Sequence, residues 1–291
     1  MAPAIAQNTA TRVVMLGTGT PRPDPDRSGP ATAIVVKETP YLVDFGPGVI
    51  RRAAAAYQKG VAALGLGASN LTIAFLTHLH SDHTMGYPDL IFTPWLMGRR
   101  EPLTVYGPKG LRAMTENILK AWEVDLGVRT VGGHARPPCE VNVHEIAPGV
   151  VHRDRNVTVT AFPVHHGDDL DAFGFRFETS DRTIVLSGDT SPTQSLIDHC
   201  ERCDVLIHEA YPLKNFGTVS PAWQDFRRNH HTSTQELADI ANRVNPGLLV
   251  IYHHSNAGGG PLTGDSDDIL LDEIRQAYKG KVVAGHDLDV F

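Results

Sequence analysis

The run Thr77-His78-Leu79-His80-Ser81-Asp82-His83 constrains this chain more than any other segment. It sets four metal-binding side chains in the spacing His-x-His-x-Asp-His. Residues 71–76, Leu-Thr-Ile-Ala-Phe-Leu, precede it as a short and mostly apolar run of strand length. The chain thus leaves a buried strand and at once presents imidazoles and a carboxylate on a loop. Those groups suit zinc and its first-row neighbours. His78 and His80, two apart on an extended stretch, can turn to one ion, while Asp82 and His83 on the following turn can face a second.

Each ion would still lack ligands, so further His and Asp residues are expected at strand ends. The alternating strand Val157–Pro163 runs into Val164-His165-His166-Gly167. Residues 183–186 form an apolar strand ending at Ser187-Gly188-Asp189-Thr190, and residues 248–252 another ending at His253-His254.

These motifs resemble the metallo-β-lactamase superfamily, in particular the branch of ribonuclease Z and related phosphodiesterases and arylsulfatases. The resemblance runs from Val13-Val14-Met15-Leu16-Gly17-Thr18-Gly19 to His286, through Leu42-Val43-Asp44-Phe45-Gly46-Pro47-Gly48, the histidine loop, Ser187-Gly188-Asp189-Thr190, His208-Glu209-Ala210 and His231-Thr232-Ser233. It implies an α/β fold, a four-layer αββα sandwich with its metal site at one edge of two sheets. It also implies two zinc ions per chain, with manganese or iron as substitutes. His78, His80 and His166 would hold one ion, Asp82, His83 and His253 the other, and Asp189 would bridge them. His165 and His254 compete for their sites. His166 is preferred because the family pattern sets the ligand before the glycine, and His253 because it directly follows the apolar strand.

The resemblance further implies hydrolysis by a metal-bridging hydroxide, with Asp82 or Asp189 accepting the proton. His231, backed by Glu209, would protonate the leaving oxygen. His208 is expected to be structural, and His230 to be displaced from the acid's role by His231. Asp44 is expected to support the histidine loop by hydrogen bonds, and Gly46 and Gly48 to allow a close turn beneath it.

Composition sets the scale. A chain of 291 residues with 41% hydrophobic content can bury a large core. Residues 11–291 are expected to form a single hydrolase domain after a tail at 1–10. No apolar run approaches the roughly 18 residues a membrane span needs. The tail contains Ala4-Ile5-Ala6, a small-x-small pattern, without the charged and apolar regions of a signal peptide. A signal-peptide remnant would mean a periplasmic or secreted protein; otherwise the location is cytoplasmic. Cys139, Cys200 and Cys203 form no zinc knuckle, and Cys203 is expected as an inert buried thiol.

Substrate expectations come from charge and length. The net charge of −7 argues against a nucleic-acid partner. The tRNA-gripping arm that many ribonuclease Z members insert between their His166 and Asp189 equivalents has no room here, and Asp26-Arg27-Ser28-Gly29-Pro30 departs from their first-loop pattern. The expected substrate is therefore a small-molecule ester, a phosphodiester or aryl sulfate, acted on by a homodimer. A tRNA 3′-processing endoribonuclease is the first alternative, and a lactone or β-lactam hydrolase or a non-catalytic metal scaffold the next. Residues 121–148, Trp95, Tyr211, Phe216 and Trp223 are candidate pocket walls, and 256–260 a candidate lid.

Overall fold

The computed structural model describes residues 10–65, 69–131, 139–254 and 265–291. Strands β1 (Thr11–Gly17), β2 (Ala31–Val36), β3 (Thr39–Val43), β4 (Ile73–Phe75), β5 (Leu103–Gly107) and β6 (Val141–Glu145) form one six-stranded sheet in sequence order. Strands β7 (Gly149–Arg153), β8 (Val157–Pro163), β9 (Phe173–Thr179), β10 (Thr183–Leu186), β11 (Val205–Ala210), β12 (Leu248–His254) and β13 (Val282–Ala284) form a seven-stranded sheet, again in order. In both sheets, antiparallel pairs give way to parallel ones. Parallel neighbours require crossovers, and helices supply most of them.

Period-2 alternation sorts the strand side chains into layers. Val13, Met15, Ile34, Val43 and Phe75 from the first sheet meet Val159, Phe175, Phe177, Ile207 and Val250 from the second, all fully buried. The opposite face of the first sheet packs on helices Val49–Gln58 and Tyr87–Leu96 through Val49, Ile50, Tyr87 and Leu90. The outer face of the second packs on helices Gln194–Cys200, Thr234–Val244 and Asp265–Ala277 through Leu196, Leu237 and Ile274. The architecture is the expected αββα sandwich. The C-terminus closes it, because Phe291 exchanges both backbone hydrogen bonds with Val13 at 2.9 Å and so covers the edge of β1.

Several local expectations need correction. Two helices, Leu111–Ala121 and Glu123–Thr130, meet at Trp122. Strands β6 and β7 and helix Pro221–His230 were not anticipated. Cys200 and Cys203 are joined as a disulfide, since the turn ending the helix brings Cys203 N–H to the Cys200 carbonyl at 3.0 Å. Cys203 is therefore buried as expected but paired. The tail at 1–9, residues 132–138 of the proposed wall and the 256–260 lid lie outside the described residues.

Candidate metal centre and active site

Short β4 delivers Thr77 and His78 to the sheet edge, and a single helical turn, Ser81–Thr84, sets Asp82 and His83 behind them. Asp44, with a left-handed φ of 58°, braces this loop from β3. Its carboxylate accepts from Thr77 N–H at 2.8 Å, from the Thr77 hydroxyl at 3.0 Å and from His83 Nδ1 at 2.8 Å. The last bond fixes the ring and leaves Nε2 facing the Asp82 and Asp189 carboxylates. Gly46 lies so close beneath the loop that a Cβ there would collide with the Asp82 carbonyl.

Three imidazole nitrogens converge above this base. His78 Nε2 and His166 Nε2 stand 3.0 and 3.1 Å from His80 Nδ1. Ligands of a tetrahedral zinc with bonds of about 2.0–2.1 Å sit about 3.3 Å apart, so the spacing suits one ion. Burial pushes His78 and His80 down, and His166 down to about 4, keeping all three in the neutral form that binds metal. His166 Nδ1 donates to the His230 carbonyl at 2.7 Å, which turns Nε2 inward.

A second group adjoins the first. His253 Nε2 lies 3.1 Å from Asp82 Oδ2 and 3.3 Å from Asp189 Oδ2, and His83 Nε2 is 3.5 Å from Asp189 Oδ1. Asp189 also stands 3.9 Å from His166 Nε2, so its carboxylate spans both groups. Burial would raise the Asp189 pKa, but the neighbouring His253 and His83 hold it well below the usual carboxylate range. Asp82 is lowered too, its burial outweighed by the hydrogen bond from His253. His83 Nε2 and Asp189 Oδ1 are buried without a hydrogen-bond partner. A buried polar atom left in that state is costly, and a cation between the groups would satisfy both. The donor set therefore fits metal. Five overlapping triads among the described residues, drawn from the seven predicted ligands with Glu209 and His231, keep their ligand atoms within 4.8 Å.

The structure separates each histidine from its competitor. Between β11 and β12 the register skips His253, which adopts a φ of 47° as an extra residue in the ladder. Such a bulge re-aims a side chain. His253 thus faces the cavity, while His254 turns away to donate to Asp267 at 2.7 Å. His165 bonds Asn229 at 3.0 Å on the outer side, leaving His166 inside.

Across the cavity, His231 Nδ1 meets Glu209 Oε1 at 2.9 Å, and the same oxygen accepts Thr190 N–H at 3.1 Å. Glu209 is wholly buried. His208 is buried within β11, its Nδ1 bonded to the Glu209 carbonyl at 2.7 Å, consistent with a structural role. His231, His80, His166, Asp82, Asp189 and His253 line a cavity of about 560 Å³. Of the predicted walls, Trp223 lines it, whereas Trp95, Tyr211 and Phe216 are buried elsewhere. Phe226 and the Thr20-Pro21-Arg22 segment also line it and were missed. The Trp-x-x-Phe spacing, which puts both rings on one helical face, was the available signal for Phe226.

The profile of the beta-lactamase superfamily domain matches residues 39–254. Ribonuclease Z of Mycobacterium bovis BCG Pasteur is 35% identical over 283 residues, covering 95% of this chain and 96% of that one. Ribonuclease Z of Mycobacterium sp. strain KMS is 38% identical over 250 residues, 83% of each chain. The crystal structure of the short form of human tRNase Z superimposes with a TM-score of 0.67 at 24% identity, over 96% of this chain and 98% of that chain. The two ribonuclease Z relatives overturn the expectation of a small-molecule phosphodiester or aryl sulfate substrate with nucleic acid disfavoured. Full-length relatives are named as ribonucleases, and the M. bovis alignment leaves only 4% of that chain unmatched, no room for a large arm absent here. The net charge misled because it averages the whole surface, whereas the cavity itself is lined by Arg22 and Arg227. The chain belongs to the beta-lactamase superfamily, in its ribonuclease Z-like branch with the metallo-β-lactamase fold.

Proposed function

We propose that the protein is a metal-dependent endoribonuclease that cleaves precursor tRNA near its 3′ end. The carrying observation is the end-to-end similarity to chains named ribonuclease Z, joined to a buried His231–Glu209 pair facing the ligand cluster across one cavity. We assign His78, His80 and His166 to one ion, Asp82, His83 and His253 to a second, and Asp189 to both. Zinc is the proposed metal, with manganese or iron as substitutes. The nitrogen spacing and the partnerless buried atoms support this assignment. Residues 11–291 are read as one hydrolase domain, since β1 and Phe291 pair directly. A precursor tRNA substrate goes with the cytoplasmic location.

When bound, the metal pair supplies Lewis acidity and a nucleophile near neutral pH. The protein does the rest. Asp82 and Asp189 stay ionised at the buried site and can accept a proton from the attacking water. With its Nδ1–H given to Glu209, His231 delivers the proton on Nε2 to the leaving ribose oxygen. Glu209 orients the ring.

The test is a precursor tRNA with a 3′ trailer, incubated with metal-loaded protein. One discrete cut, abolished by chelation and restored by zinc or manganese, is expected. Intact precursor with a fully metallated protein would overturn the reading.

A further inference from the structure

The helix Pro221–His230 carries an aromatic ladder. Trp223 and Phe226 stack with centroids 5.0 Å apart and planes 9° from parallel, and Phe226 stacks on His230 at 4.0 Å and 19°. Trp223 is 43% exposed and Phe226 37%, yet the helix is otherwise polar. Its rings do not serve the core. The ladder is nonetheless rigid. Ser220 caps the helix by accepting from Trp223 N–H, and the Arg227 guanidinium lies 5.4 Å from the Trp223 ring on the way to Tyr211. Gly167 makes room at the far end, where a Cβ would collide with the His230 ring.

Position gives the ladder its meaning. Trp223 and Phe226 line the same cavity as the ligand cluster, and Phe226 is 6.1 Å from His231. Thr20, Pro21, Arg22 and Ser81, which also line the cavity, add no aromatic ring. The ladder therefore stands beside His231, the proposed proton donor.

We propose that Trp223 and Phe226 are a stacking platform for the base of the nucleoside that carries the leaving oxygen. The inference rests on the endoribonuclease reading and adds to it how a single-stranded RNA segment is positioned. Stacking tolerates any base, because every base has a π-face, and a flanking guanidinium reinforces it. The ladder would set the ribose oxygen against His231 without reading sequence.

Cleavage kinetics of precursor tRNA test this. Trp223→Ala and Phe226→Ala should each raise KM about 5- to 100-fold, the usual loss for one base–aromatic stack. Metal content and melting temperature should stay at wild-type values, and Trp223→Phe should recover most of the loss. An abasic nucleoside on the leaving-oxygen side should mimic Trp223→Ala in wild-type protein and cost the variant nothing more. The same lesion across the scissile phosphate should add to it. Unchanged KM in both alanine variants, or additive losses at both positions, would overturn the platform. Should wild-type protein leave precursor tRNA uncut, the endoribonuclease reading fails, and binding judges the platform separately. An RNA trinucleotide added to Asp189→Ala protein should quench fluorescence that is absent once Trp223→Phe is also present. Equal quenching in both proteins would overturn the proposal.

Discussion

The loop 77–83 and the helix 221–230 face one cavity but are built in opposite ways. The loop concentrates four of seven proposed ligands within six residues, and its brace, Asp44, comes from the strand beside it. Its function is written in contiguous sequence. The helix gains its role only by docking, since His231 at its end depends on Glu209, 22 residues earlier on β11. The difference implies that the proposed metal binding and the proposed proton delivery are separable, and four measurements can break or sharpen that separation.

The largest effect is expected at Asp189, whose carboxylate contacts both ligand groups. Asp189→Ala should abolish cleavage and lower metal stoichiometry by elemental analysis while circular dichroism stays native. His166→Ala and His253→Ala should each empty one site, whereas His165→Ala should leave both filled. Metal loss in His165→Ala would reverse the assignment.

His231→Ala comes next. It should keep its metal yet slow cleavage about 10²- to 10⁴-fold, the usual worth of a positioned general acid. The loss should be greatest for alkoxide leaving groups and shrink for p-nitrophenolate, which departs unprotonated. Glu209→Gln should show a milder form. Equal losses for all leaving groups, with a lower melting temperature, would mean that His231 only supports the helix starting at Thr234.

Asp44→Asn should weaken metal affinity about 10- to 100-fold, as outer carboxylates on metal-bound imidazoles commonly do. Competition with a chromophoric chelator measures it. Unchanged affinity would show that the loop holds its shape without its brace.

The smallest effect belongs to the cap at Ser233. Its side chain and Glu236 form a reciprocal capping box on helix Thr234–Val244. Ser233→Ala should cost about 1 kcal/mol, a fall in melting temperature of about 2 °C. A much larger rate loss than stability loss would tie this cap directly to His231.

Legibility followed the same division. The strand-then-ligand pattern at β4, β8, β10 and β12 could be read directly, because buried strands are apolar and their ends carry what the edge presents. Strands β6 and β7 could not, since Val141–Glu145 and Gly149–Arg153 are mostly exposed and lack an apolar face for most of their length. Helix Pro221–His230 was missed for a related reason. Its sequence PAWQDFRRNH is polar almost all round, and Ser220 with Pro221 is its only strong local start signal.

Sequence by itself determined the sandwich, the ligand loop and the chemical type of each proposed metal-binding side chain. Strand periodicity and donor chemistry are local properties, so contiguous residues carry them. Only the tertiary structure gave the physical reason for preferring one neighbouring histidine over the other, because a bulge at His253 depends on how β12 registers against β11. It alone brought Phe226 and the Thr20-Pro21-Arg22 segment into the cavity lining. Those placements depend on contacts between distant segments, and no local pattern encodes which surfaces will meet.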